Sequence, residues 1–144
     1  MPATGKWYGQ ALLKALNKEI DWDTDAIKVM LCSSAYVPDQ DNHVYLSSIT
    51  NEVTGTGYTA GGQVLTAKTI TYDAVNNKII LDAADITWPS ATITARYAVL
   101  YVDTGNPATS PLLGYVDFGQ DVSSTNGNFT IAWDAAGIFT ITVG

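Results

Sequence analysis

Residues 63–143 run as short stretches of alternating apolar and polar positions, rich in Thr, Val, Ile and aromatics. A period of two places successive side chains on opposite faces of a strand, so this half can hardly fold except as sheet. Residues 64–72 are expected to pair with 78–83 across 73–77, where Asn76 and Asn77 tolerate the positive φ of a tight hairpin. A strand at 86–88 is expected to stop at Pro89. Residues 92–102 read as the longest strand. Ile93, Ala95, Tyr97, Val99 and Tyr101 share one of its faces, and Thr92, Thr94 and Arg96 open the other. That second face turns apolar at Ala98, Leu100 and Val102, so this end reads as buried on both sides. Residues 112–118 read as a strand, 119–127 as a polar loop, and 128–133 with 138–143 as a final hairpin. Turn signals at this spacing predict a mainly β fold, an antiparallel β-sandwich or barrel of about seven to eight strands.

The first 62 residues read differently. Residues 5–20 place Trp7, Tyr8, Ala11, Leu12, Ala15, Leu16 and Ile20 on one face of a 3.6-residue period, which predicts an N-terminal amphipathic helix. Thr4 is a weak N-cap, and Gly9 costs such a helix about 1 kcal/mol against Ala. The helix is expected to cover an edge of the domain's sheet or a neighbouring subunit. Residues 26–33 read as a strand that puts Cys32 on a half-buried face as a small hydrophobe. Residues 34–62 show little regular signal beyond a short helical turn around 46–49 and glycines at 55, 57, 61 and 62. The glycines read as flexible backbone, and so long an irregular segment reads as a contact region.

A chain of 144 residues with no internal repeat reads as a single domain, 1–144. The formal net charge of −7 argues against nucleic acid and against anionic membrane surfaces. Lys14, Asn17 and Lys18 interrupt any apolar run near the start, so no secretion signal and synthesis in the cytoplasm are expected. One cysteine forms no intrachain disulfide, so packing alone must hold the fold.

Reactive side chains are scarce and scattered: one His (His43), one Cys (Cys32) and one Arg (Arg96). Asp21, Asp23 and Asp25 open like a calcium loop, but Ala26 and Cys32 stand where that motif needs Gly and Glu, so the segment reads as a turn. His43 has Asp39 and Asp41 near it in sequence but no nucleophile elbow in the chain, and reads as a surface loop histidine. The Asp residues at 73, 82, 85, 103, 117, 121 and 134 fall at strand ends and read as turn formers, not as a glycosidase pair. Trp133, Tyr97 and Tyr101 read as core. Trp88, beside Pro89, reads as the exposed aromatic a sugar-binding module would use. No enzyme activity, cofactor or metal is expected.

The blocks KWYGQALLKALNKEIDWDTDAIKVMLCSSAYVPDQDNH, TNEVTGTGYTAGGQVL, ITARYAVLYVDTG and LLGYVDFG, in this order, resemble a family of small virion structural proteins of tailed bacteriophages. The resemblance spans Lys6 to Val143 and carries no catalytic residues. It implies a non-enzymatic building block repeated on a virion, with capsid decoration first and a neck, tail or fibre component second. The partners it implies are capsid or other virion proteins and further copies of the chain, as a trimer or ring. Host glycan is a further candidate partner, as for a carbohydrate-binding β-sandwich. The residues expected at partner contacts are Trp7, Tyr8, Leu12, Leu16, Tyr36, Tyr45, Tyr58 and Trp88.

Overall fold

Two long strands form the spine of the computed structural model, which describes residues 3–144. They are β6 (Ile86–Val102) and β7 (Leu112–Ile131), paired antiparallel from Ile86↔Ile131 to Tyr101↔Leu112. Around them a five-stranded sheet runs in the order β1-β7-β6-β2-β3, with β1 at Lys6–Trp7, β2 at Ile27–Cys32 and β3 at Gln63–Val64. A second sheet has the order β4-β5-β8, with β4 at Thr69–Asp73, β5 at Lys78–Asp82 and β8 at Phe139–Thr142. All these pairings are antiparallel, and neither sheet closes into a barrel, so the architecture is sandwich-like.

The five-stranded sheet is covered on both faces. The larger core joins it to the three-stranded sheet through residues such as Val29, Leu31, Leu100, Leu81 and Phe139. A smaller core lies on its other face, where Met30, Cys32, Val99, Tyr101 and Leu112 pack with Tyr8 and Tyr36. Residues of the 34–62 segment close that second layer, with Leu46 and Ile49 packed against it. This explains why five of the six residues of β2 are buried although they point alternately to opposite faces.

The β2 strand, the helical turn (a 3₁₀ turn at Leu46–Ser48) and the β4–β5 hairpin lie where the sequence placed them. Asn77 takes the expected positive φ, at +56°. Cys32 is fully buried and the far end of β6 is buried on both sides.

Six expectations are corrected. The N-terminal helix shrinks to α1 (Ala11–Leu16), because 6–7 form β1 against β7. Trp7 and Tyr8 point to opposite sides of the sheet, Trp7 stacking on Phe139 at 4.4 Å and Tyr8 entering the smaller core. A helix would put both on one face; pairing with β7 buries them in two places and satisfies the Tyr8 N–H on Leu113. Residues 64–72 divide between the two sheets, β3 pairing with β2 and β4 with β5, with Ala67 at φ +53° in the crossing.

Pro89 does not end its strand, and 119–127 is no loop. Both lie in continuous β6 and β7, where the register shifts between Trp88 and Ala91, Ala91 and Ile93, and Ala95 and Tyr97. Bulges absorb the proline, Ser90 at φ +50° and Asn126 at φ +48°. The shift at Arg96 also splits the face read from the sequence. Ile93 and Ala95 join the larger core, while Tyr97, Val99 and Tyr101 face the smaller one. Last, β8 pairs with β5 and not with 128–133, so the expected final hairpin does not form.

Candidate contact surface

The eight residues expected at partner contacts fall into three groups. Tyr8, Tyr36 and Trp88 are each about 1 % exposed and belong to the interior, which corrects their reading as contact residues. Trp88, the expected exposed aromatic, packs between Tyr58 and Phe129, since its strand continues past Pro89 under a bulge. Trp7, Leu12, Tyr45 and Tyr58 are half-buried. Leu16 is 87 % exposed and stands well out from α1.

Tyr8 and Tyr36 tie the irregular segment to the sheet. Their hydroxyls are 2.6 Å apart, and the Tyr36 hydroxyl lies 2.9 Å from His43 Nδ1. The Asp39 N–H also donates to Nδ1, at 3.3 Å, so Nδ1 is the unprotonated ring nitrogen. Tyr36 therefore donates to His43, and Tyr8 donates to Tyr36. Burial, reinforced by the bond to Tyr36, raises the Tyr8 pKa. Burial also pushes the Tyr36 phenol up to about 12. His43, half-buried in its loop, ends a structural relay and stacks on Tyr36.

Tyr58 plays a similar part. Its hydroxyl donates to Glu52 at 2.6 Å and accepts the Leu31 N–H at 3.0 Å, while Glu52 also accepts the Gly61 N–H at 2.7 Å. The glycine-punctuated stretch is thereby docked on the sheet and not loose. Cys32 lies beneath it, where burial pushes the thiol up to about 12, far from a reactive thiolate. Asp21 and Asp25 close a turn through Asp21 N–H to Asp25 Oδ2 at 2.8 Å, with Trp22 buried between them. Asp73, Asp103, Asp117 and Asp134 each accept a backbone N–H two residues on, as turn formers do. Among the described residues no group of three His, Cys, Asp or Glu is placed to hold a metal ion.

Two of the concave surfaces among the described residues bear on partner contact. One is an open groove of about 590 Å³ beside the outer half of β6 and β7. Thr92, Thr94, Ser123 and Ser124 give it a hydroxyl lining without an aromatic. Thr94 and Ser123 bond each other at 2.7 Å, and Ser124 donates to the Ala91 carbonyl at 2.8 Å. These hydroxyls are largely spent on the sheet itself. The sequence reads Thr92 and Thr94 as the polar face of a strand and Ser123 and Ser124 as part of a polar loop, so the groove was not legible there.

The other is an apolar crevice of about 130 Å³ between the N-terminal segment and the three-stranded sheet. Trp7, Leu12 and Ala15 form one wall and Ile70, Ile79 and Ile141 the other. Nearby stand exposed apolar side chains: Leu13 and Leu16 on α1, Ile70 and Tyr72 on β4, and Val75 in the β4–β5 turn. Among the described residues, six of the eight large hydrophobics with exposed side chains lie on α1, on the β4-β5-β8 sheet and its β4–β5 turn, or just past β8 at Val143. Scattered exposed apolar residues mean little; here they are concentrated on α1 and about the β4-β5-β8 sheet. Lys14 braces α1 by donating to the Tyr45 hydroxyl at 2.7 Å and pairing with Glu19 at 3.2 Å. The sequence named Leu12 and Leu16 here but missed Ile70 and Tyr72, which read as half of an ordinary strand. No protein-family model, curated protein or solved structure matches the chain.

Proposed function

We propose that the chain is a non-enzymatic structural subunit of a bacteriophage virion, acting as a capsid decoration and stabilisation protein. The observation that carries this reading is the apolar surface of α1 and the three-stranded sheet, held on a scaffold braced from both faces. A protein that works by covering neighbours needs such a surface and no reactive group. The sequence resemblance to virion structural proteins supplies the setting. Capsid or other virion proteins and further copies of the chain are the partners. A place in the neck, tail or fibre would use the same surface. The glycan-binding alternative loses its main support, because Trp88 is buried and the open groove offers hydroxyls without a stacking ring.

Quantitative mass spectrometry of washed particles tests the reading. A fixed copy ratio to the major capsid protein is expected, and loss of that ratio for a Leu16→Asp variant. Absence of the wild-type chain from washed particles overturns it.

A further inference from the structure

We propose that Asn126 is a site of self-modification, at which the Gly127 nitrogen closes on the Asn126 side chain to form a cyclic imide that water opens to aspartate or isoaspartate. This modification goes beyond the function proposed above and does not depend on it.

The reaction has three requirements, and they meet at one place on β7. The residue after the asparagine must leave its amide nitrogen uncrowded, and glycine crowds it least. Asn126-Gly127 is the only Asn-Gly pair in the chain. The carboxamide must be accessible. Asn126 is exposed, at φ +48° in the bulge between the Ala91↔Gly127 and Ile93↔Ser124 pairs. The carbonyl must also be polarised. The Thr92 hydroxyl donates to Asn126 Oδ1 at 3.4 Å while it accepts the Asn126 N–H at 3.0 Å. Oδ1 is the oxygen that gains negative charge when Cγ is attacked. A donor already aimed at it favours that step, and the bond strengthens as the charge develops.

Other asparagines lack these features. Asn42 and Asn76 tie their carboxamide nitrogens to Asp39 and Asp73, each at 2.8 Å, and neither precedes a glycine. Asn106 precedes Pro107, whose nitrogen has no hydrogen to lose. Asn128 precedes the bulky, buried Phe129.

The chemistry needs only water and its hydroxide ion. Hydroxide takes the Gly127 amide proton, and the nitrogen pair attacks Asn126 Cγ. The new N–Cγ bond forms, the Cγ–Nδ2 bond breaks, and Nδ2 takes a proton from water and leaves as ammonia. Water then adds to one of the two imide carbonyls and the ring opens. Nothing is oxidised or reduced. Either product adds one negative charge to a chain of net charge −7, beside Thr92 and Thr125 on the wall of the open groove. Isoaspartate also inserts a main-chain carbon into β7, close to the Phe129 that packs on Trp88.

Incubation of the folded chain at about pH 8, below the ordinary pKa values of Cys and Tyr, followed by peptide mass mapping, tests this. Conversion is expected at Asn126 ahead of Asn42 and Asn76, with electron-transfer fragmentation separating isoaspartate from aspartate. Thr92→Val removes the donor and should slow conversion about threefold, the weight of a modest hydrogen bond. Thr92→Ser keeps the hydroxyl and should keep the rate. A Cβ added at Gly127 meets only the Thr125 carbonyl, at 3.5 Å, so Gly127→Ala fits the fold and should slow conversion further. Near-ultraviolet circular dichroism verifies that each variant is folded. In denaturing urea the wild type and Thr92→Val should convert alike, which separates the contribution of the fold from that of the Asn-Gly pair alone. Asn126 intact while Asn42 or Asn76 converts overturns the site. Folded-state conversion indifferent to Thr92→Val, or slowed equally by Thr92→Ser, overturns the part given to the Thr92 hydroxyl.

Discussion

Tyr36 holds the middle of a three-member relay, and its two neighbours depend on it unequally. Tyr8 donates to Tyr36, and Tyr36 donates to His43. Tyr36→Phe therefore leaves the buried Tyr8 hydroxyl without an acceptor and should cost about 1–3 kcal/mol. Tyr8→Phe removes a donor while Tyr36 keeps His43, and should cost about 1 kcal/mol. The double variant should cost less than Tyr36→Phe alone, since the orphaned hydroxyl is then gone. Urea unfolding of the three variants checks the order, and a Tyr8→Phe loss larger than that of Tyr36→Phe contradicts the donor direction. Alternation in the sequence was enough to find Cys32 buried, because β2 runs through the middle of its sheet. It was not enough for Tyr8, Tyr36 or Trp88. An aromatic near a polar turn reads as exposed until the segment that covers it is placed, and that placement rests on long-range contacts. Cys32 offers a second check on this layer. A thiol reagent should modify it only as fast as the chain unfolds, and rapid modification of the folded protein would show that the 34–62 segment opens locally.

At the scale of elements, bulges and glycines account for most of what the sequence concealed. A bulge shifts the two-residue period by one, so a strand read with a fixed period assigns wrong faces beyond it, as happened after Arg96. Pro89 and the 119–127 stretch looked like breaks for the same reason. β2 and the paired part of the β4–β5 hairpin, 69–73 with 78–82, match the sequence reading because their registers are unbroken. The glycines of 34–62 were read as flexible, yet Gly62 sits at φ +82° hard against the Val29 carbonyl, leaving no room for a Cβ. Gly105, at φ +87°, has open space around it. Gly62→Ala should thus add a clash to the backbone strain and cost more than about 3 kcal/mol, against about 1–2 kcal/mol for Gly105→Ala. Thermal unfolding of the pair decides this. Equal losses would mean that the segment is not docked on β2 as described.

For the whole molecule, the two-layer β architecture was legible from periodicity, but the partition of strands was not. Which strand pairs with which depends on contacts across the chain, such as β8 leaving its sequence neighbour to join β5. The same packing leaves the molecule sensitive to alkali. Burial raises the pKa values of the Tyr8, Tyr58 and Tyr101 phenols, and holds Tyr36 and the Cys32 thiol up to about 12 against ordinary values of 10.0 and 9.0. These groups are neutral in the folded chain and ionise first in the unfolded one. Between the two pKa values the unfolded state binds fewer protons, so stability falls as pH rises. The contribution is fully present below about pH 9 and is lost progressively from there towards pH 12 and above, Cys32 first and the phenols after it. Urea midpoints from pH 8 to 11.5 should decline with increasing steepness past pH 10, and the decline should be shallower in the Tyr8→Phe/Tyr36→Phe double variant. Absorbance at 295 nm should show the buried phenols ionising together with loss of near-ultraviolet dichroism. Eight tyrosines titrating as one group near pH 10 in a still-folded chain would place the phenols in water and dismantle both layers of the core.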